Sequence, residues 1–99
     1  MRFEWDERKN LVNQRKHGIS FEVGSRAFFD PFCISLKDCI VDGEQRWRTY
    51  GVVDNFLLVM VAHTVKEHDD EGQLIEVIRL ISARRATGRE QEWYEEENR

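Results

Sequence analysis

The run Phe56-Leu57-Leu58-Val59-Met60-Val61-Ala62-His63-Thr64-Val65 constrains this chain more than any other segment. It is nearly all apolar, and it lies between Asp54-Asn55 and the charged residues 66–73. An unbroken apolar run between turn signals predicts a central strand buried on both faces. Such a strand needs neighbours beside it and a layer over each face. The run is also far shorter than the roughly 20 residues a helix needs to cross a bilayer, so no membrane span is expected.

The flanking segments supply the layers. Phe3-Glu4-Trp5 alternates and reads as a short strand. Asp6 can accept a bond from an orphan backbone N–H, which predicts a helix from there to about His17, closed by Gly18. Ser20 caps a second predicted helix over 21–29, and Asp30-Pro31 stops it, because the residue before proline avoids the α region. Phe32, Ile34 and Leu36 alternate with Cys33, Ser35 and Lys37, which predicts a strand; residues 38–43 read as a polar connection. Residues 46–53 form the next expected strand, with Asp54-Asn55 as a tight turn. Residues 66–73 read as a charged loop and 74–84 as the last strand. Thr87-Gly88-Arg89-Glu90 matches a capping box that opens a helix to about Glu97. The expected fold is a single α+β domain over residues 1–99: an antiparallel β-meander with two N-terminal helices and one C-terminal helix.

Charge is distributed unevenly. Residues 90–99 hold five acids (Glu90, Glu92, Glu95, Glu96, Glu97) and one base, Arg99, whereas residues 1–89 balance 14 acids against 14 bases. A neutral body with an acidic end makes any nucleic-acid role depend on a local patch. The opening residues have no apolar stretch of the signal-peptide kind, so the expected compartment is the cytoplasm. Cys33 and Cys39 are then expected as unpaired thiols.

Three constellations could carry chemistry. Lys9, Asn13, Lys16 and His17 share one face of the first helix, either as a solvated surface or as a seat for phosphate. Arg46, Arg48 and Tyr50 alternate onto one face of their strand and could hold a phosphate and stack a base, or simply face solvent. Arg79 falls on the alternation of Ile75, Val77, Ile81 and Ala83. A charge on an apolar face needs a partner, so it is either a structural ion pair, with Glu44 or Glu76, or a site arginine. Ser82 and Arg84 take the opposite alternation, unless a bulge rotates the strand end. His63 and His68 lack zinc-site spacing, and there is no P-loop, dinucleotide fingerprint or nucleophile elbow; no cofactor is expected.

Phe3-Glu4-Trp5-Asp6-Glu7-Arg8-Lys9, Asn13, Lys16-His17-Gly18-Ile19-Ser20-Phe21, Phe29-Asp30-Pro31, Gly43-Glu44-Gln45-Arg46-Trp47 and Ile78-Arg79-Leu80-Ile81-Ser82-Ala83-Arg84-Arg85-Ala86-Thr87 with Glu90 jointly resemble the BrnT toxin family, over nearly the whole chain. The resemblance implies a RelE-like fold and a ribonuclease toxin of a bacterial type II toxin–antitoxin pair. It also implies a BrnA-like ribbon-helix-helix antitoxin that binds the operon DNA, so that the toxin meets DNA only indirectly. On this reading RNA is cleaved without metal through attack by a 2′-OH. Arg79 and Arg84 hold the phosphate with help from Arg46, and His17, Lys16 and Glu44 are candidates for proton transfer. Lys9, Asn13, Arg48, Ser82 and Arg85 are candidate RNA contacts; Arg85 stands where the family often has lysine. The competing expectation is a module that docks an antitoxin with cleavage weak or lost. DNA binding by the domain itself is disfavoured, since residues 21–29 carry a single arginine.

Overall fold

A computed structural model describes residues 1–99. β1 (Arg2–Glu4) leads into α1 (Glu7–His17) and the short α2 (Phe21–Ser25), which tightens into a 3-10 segment at Arg26–Phe29. Then come β2 (Ile34–Val41), β3 (Glu44–Val53), β4 (Leu57–Asp70), β5 (Gln73–Arg85) and α3 (Gly88–Glu97). The strands form one sheet in the order β1-β5-β4-β3-β2. β2 to β5 make the expected antiparallel meander, but β1 joins β5 in parallel, so the sheet is mixed. Both thiols are free, and no helix is long and apolar enough to cross a membrane.

The helix ends follow their caps. The Asp6 carboxylate accepts from the Arg8 and Lys9 N–H groups, and Gly18 takes the left-handed conformation at φ 72°. Thr87 and Glu90 exchange both bonds of the capping box. The second helix is not one α-helix over 21–29. Its 3-10 part presses onto β3 at Gly51, where an added Cβ would lie 2.0 Å from the Ala27 carbonyl oxygen.

β4 is covered on both faces over its first half. Val59 and Val61 pack with Ile78, Leu80 and Ala83 under Ile19, Phe21 and Ala27, while Leu58 and Met60 pack with Tyr50 and Ala86 under Trp93 and Tyr94 of α3. Two polar segments behave differently from expectation. Residues 38–41 continue β2 after a register shift between Lys37 and Ile40. Residues 66–70 and 73 are paired strand, not loop, and with the expected strand residues 74–76 they form an exposed two-stranded arm. Neither stretch covers a core, so neither shows apolar alternation. All three hairpins turn on two residues of positive φ: Asp42-Gly43, Asp54-Asn55 and Glu71-Gly72. That is the turn whose twist matches the flanking strands.

The register shift that matters most lies in β5. Ala62 pairs with Ser82 but His63 pairs with Leu80, which leaves Ile81 as an extra residue. The bulge resets the alternation. Arg79 faces Thr64, Ser82 faces Ala62 and Arg84 faces Met60, so all three side chains emerge on one face. Ala83 instead joins Leu80 and Ile78 in the core beneath the N-terminal helices. The expected grouping of Arg79 with Ala83 is therefore corrected, and the bulge allowed for at the strand end is what brings Ser82 and Arg84 to the side of Arg79.

Gly51→Ala should cost about 1–3 kcal/mol, read as a lower urea midpoint at unchanged slope, because the backbone of Ala27 cannot yield cheaply. A second expectation concerns His63, which bonds Thr49 at 2.7 Å and is 2% exposed. Burial pushes its pKa down from 6.5 to about 4. Below pH 6.5 the unfolded chain takes up a proton that the native state refuses. Stability present above pH 6.5 is thus lost as pH falls toward about 4, by about 1.4 kcal/mol per pH unit at the steepest. Urea titrations across this window should show the slope, and His63→Gln should flatten it.

Candidate functional site

The meander lays its polar side chains out in rows. Tyr50, Met60 and Arg84 form one row across β3, β4 and β5, and Arg48, Ala62 and Ser82 form the next. Continuing that register, Arg46 flanks Thr64 opposite Arg79, and Glu44 flanks Lys66; the 3.3 Å ion pair between Glu44 and Lys66 fits this continuation. α3 covers the first row and, beyond it, Leu58 and Ala86. On the remaining face the register sets small side chains, Ala62 and Thr64, between Arg46 and Arg48 on one side and Arg79 and Ser82 on the other, a trough in side-chain length rather than a closed cavity. Small side chains on the middle strand and long cations on both flanks suit a polyanion lying across the strands.

The cations are only partly neutralised. Arg79 pairs with Glu4 of β1 at 3.6 Å with both side chains about half exposed, so the expected burial and the expected partners Glu44 or Glu76 are not what is found. Arg48 lies 3.6 Å from Asp38, close enough for charge but too far for a hydrogen bond. Arg46 is in no ion pair. The Nε atoms of Arg46 and Arg48 are covered and have no hydrogen-bond partner. Covered donors that the fold leaves unpaired carry a desolvation cost that a bound anion can offset.

α1 borders the trough beyond β5. Lys9, Lys16, His17 and Ser82 line one cleft of about 310 Å³ together with Asn13 and Ile81. Asn13 differs in role from its neighbours. Its amide donates to the Ile19 and Ala83 carbonyls at 2.8 Å, and its oxygen accepts from the Ala83 N–H. Both donors are spent on backbone, so Asn13 positions α1 against the edge of β5 and is not available to contact RNA.

Arg84 has a different surrounding from the other arginines. Its guanidinium grips both oxygens of Glu90 at 2.8 and 3.2 Å. Glu90 also accepts from the Tyr50 hydroxyl at 2.6 Å and from the Thr87 N–H at 2.8 Å. The Arg84 bond, joined by those of Thr87 and Tyr50, holds the Glu90 carboxyl down at about 2. Burial and the Glu90 carboxylate push the Tyr50 hydroxyl up to about 12, so it stays a donor. The capping glutamate thus ties α3, β3 and the end of β5 into one junction. Sequence reading recognised Glu90 only as a cap, because pairing across 40 residues has no local signature.

Two expected site residues stand apart. Arg85 is opposite Val59, on the far side of the sheet from the trough, and is exposed. Glu44 is on the trough face but two rows from Ser82. At about 7 Å per two residues along a strand and about 5 Å between strands, it lies well over 10 Å from the cleft that holds Lys16 and His17. The two cannot serve the same phosphate.

The sequence profile described as the ribonuclease toxin BrnT of a type II toxin–antitoxin system matches residues 5–90. No curated protein matches the chain. Among solved structures, the crystal structure of the Brucella abortus ribonuclease toxin BrnT is similar over 88% of this chain and 97% of that one, with a TM-score of 0.57 and 20% identity. At that identity the likeness bears on the fold.

The Glu90 junction makes a stability prediction. The Arg84 and Glu90 side chains are 30% and 18% exposed, so the pair is shielded enough to matter. Glu90→Gln should cost about 2 kcal/mol at pH 7 in urea unfolding. Because the carboxyl is depressed from 4.5 to about 2, its contribution is complete above pH 4.5 and fades as pH falls through that window; the gap to the variant should narrow with it. Equal stability of the two proteins at pH 7 would remove the junction's assigned role.

Proposed function

The chain belongs to the BrnT family of ribonuclease toxins of type II toxin–antitoxin systems, and from that premise we propose that it is an endoribonuclease that cleaves RNA across the arginine trough without metal. The observation that carries this reading is the Ile81 bulge, which turns Arg79, Ser82 and Arg84 to the same face as Arg46 and Arg48. The partner in this reading is a BrnA-like ribbon-helix-helix antitoxin. The RelE-like assignment and the cytoplasmic setting are parts of the same proposal.

The chemistry runs as follows. The 2′-oxygen attacks the adjacent phosphorus as its proton passes to a base. The P–O5′ bond breaks and an acid protonates the departing 5′-oxygen, leaving a 2′,3′-cyclic phosphate and a 5′-hydroxyl. The negative charge that grows on the equatorial oxygens is offset by Arg46, Arg48 and Arg79, preorganised on adjacent rows. Lys16 and His17 carry the protons, since they share a cleft with Ser82. Lys9 extends the contact along the RNA backbone. Arg84 acts at one remove: its charge is held by Glu90, so it shapes the end of the trough. One observation favours the second reading, an antitoxin-binding module with weak cleavage: three of the four trough-side arginines already face a carboxylate, Arg48 on Asp38, Arg79 on Glu4 and Arg84 on Glu90.

Purified protein incubated with total RNA in EDTA decides between the readings. Fragments with cyclic phosphate ends should appear, and Arg46→Ala, Arg48→Ala and Arg79→Ala should each slow their formation about 10²-fold, the cost of losing one donor to a charged transition state. Arg85→Ala should cleave like the parent. Intact RNA under all conditions, or a loss with Arg85→Ala that equals the others, would contradict the trough as the site.

A further inference from the structure

The end of the sheet away from the arginines carries a second surface. A cavity of about 460 Å³ is lined by Phe29, Pro31, Phe32, Val52 and Tyr94 among others. A smaller one of about 220 Å³ includes Phe56, Leu58 and Glu95. The two share Val52, Asn55 and Tyr94, so they adjoin, and together they make the groove beside α3 and the β3–β4 turn. Phe29, Phe32 and Phe56 stand 68%, 61% and 77% exposed at its edges, more aromatic surface than a solvated turn requires. The groove is built. The Tyr94 hydroxyl donates to Asp30, Asp30 also accepts from the Val52 and Phe32 N–H groups, and the Asn98 amide donates to the Phe32 carbonyl. These bonds pin α3 as its wall and engage Asp30, while Arg26 and Asp54, which also line the larger cavity, pair with each other at 3.3 Å.

The helix that walls this groove is strongly anionic, and one of its glutamates, Glu95, lines the groove itself. Glu92, Glu95, Glu96 and Glu97 take part in none of the ion pairs. The last turn of α3 holds no basic residue. Carboxylates at a helix C-terminus oppose the backbone dipole, and Glu92 and Glu96 repel each other one turn apart. The fold bears these costs without an internal return, and a cation placed along α3 would remove them. The same charge repels a phosphate backbone, so this end is not a continuation of the RNA trough.

We propose that the groove docks a basic amphipathic helix of the neutralising protein partner. Its apolar side chains pack on Phe29, Phe32 and Phe56, and its lysines or arginines meet Glu95 in the groove and the field of the unpaired glutamates along α3. The identity of the partner rests on the toxin–antitoxin reading; the apolar-and-cationic chemistry rests on the groove alone. This docking leaves the arginine trough uncovered, so binding here and cleavage there are separable.

The test uses the full chain and three synthetic peptides: a leucine–lysine helix with its leucines on one face, the same composition scrambled, and a leucine–glutamate helix. Calorimetry should show binding of the first alone. Phe32→Asp, Phe56→Asp and the double change Glu95→Lys/Glu96→Lys, all at exposed positions, should each weaken it about tenfold or more. RNA cleavage by the phenylalanine variants should match the parent. Equal binding of the scrambled peptide, or undiminished binding by the variants, overturns the proposal. So does a parent that sediments as a dimer while Phe56→Asp sediments as a monomer, since the occupant is then a second copy. If the parent cleaves no RNA yet discriminates among the peptides, the docking surface stands and the ribonuclease reading is what fails.

Discussion

The extra residue at Ile81 is the constraint on which the functional face depends. Without it, strict alternation would send Arg79 and Arg84 to opposite sides of β5, and no single phosphate could meet both sides of the trough. With it, the half of β5 before the bulge and the half after it present their polar side chains together. The bulge is secured from the edge. β1 pairs only with Val77, Ile78 and Arg79, so the backbone beyond them has no strand neighbour on that side. Asn13 fills the gap by bonding both the N–H and the carbonyl of Ala83. One buried amide therefore fixes the strand end, completes the sheet edge and sets α1, with Lys16 and His17, beside Ser82.

The C-terminal helix divides the molecule's two surfaces. Toward the trough, Glu90 gathers Arg84, Tyr50 and Thr87, and Trp93 meets Tyr50 edge-on at 5.1 Å. Away from it, Tyr94 and Asn98 close on the segment Asp30–Phe32. α3 has no fully buried residue. It is held by a few well-placed polar bonds and two aromatic side chains, not by a broad apolar stripe. This explains how a helix so rich in glutamate can fold back on the sheet, and why its outer side retains charge that nothing in the chain answers.

Much of this was legible in the sequence where local chemistry decides. The caps at Asp6, Gly18, Ser20 and Thr87 act over four residues or fewer, and the two-sided burial of β4 is written in its apolar run. The limits of β2 and of the β4–β5 arm were not legible, because strands that cover no core show no alternation. Asp42-Gly43 carried the missing hairpin signal. The bulge left no mark either: Leu80 and Ile81 are both apolar, and a shift made without glycine changes no residue type. That single slip misplaced Arg79 on a buried apolar face, when it is half exposed beside Glu4. Asn13 was misjudged for a related reason. On a helix otherwise polar, nothing local separates a buried clamp from a solvent-facing contact.

Nitrogen-detected spectra of the arginine side chains test the central claim most directly. The Nε–H signals of the chain would be followed while a short RNA with 2′-O-methyl groups, which binds but cannot be cleaved, is added. If the bulge assembles one RNA face, the Arg46, Arg48 and Arg79 signals move together and saturate at one concentration, while Arg26 and Arg85 stay in place. Movement of Arg85 or Arg26 with Arg46 and Arg48 unchanged would place the RNA on another surface and contradict the account.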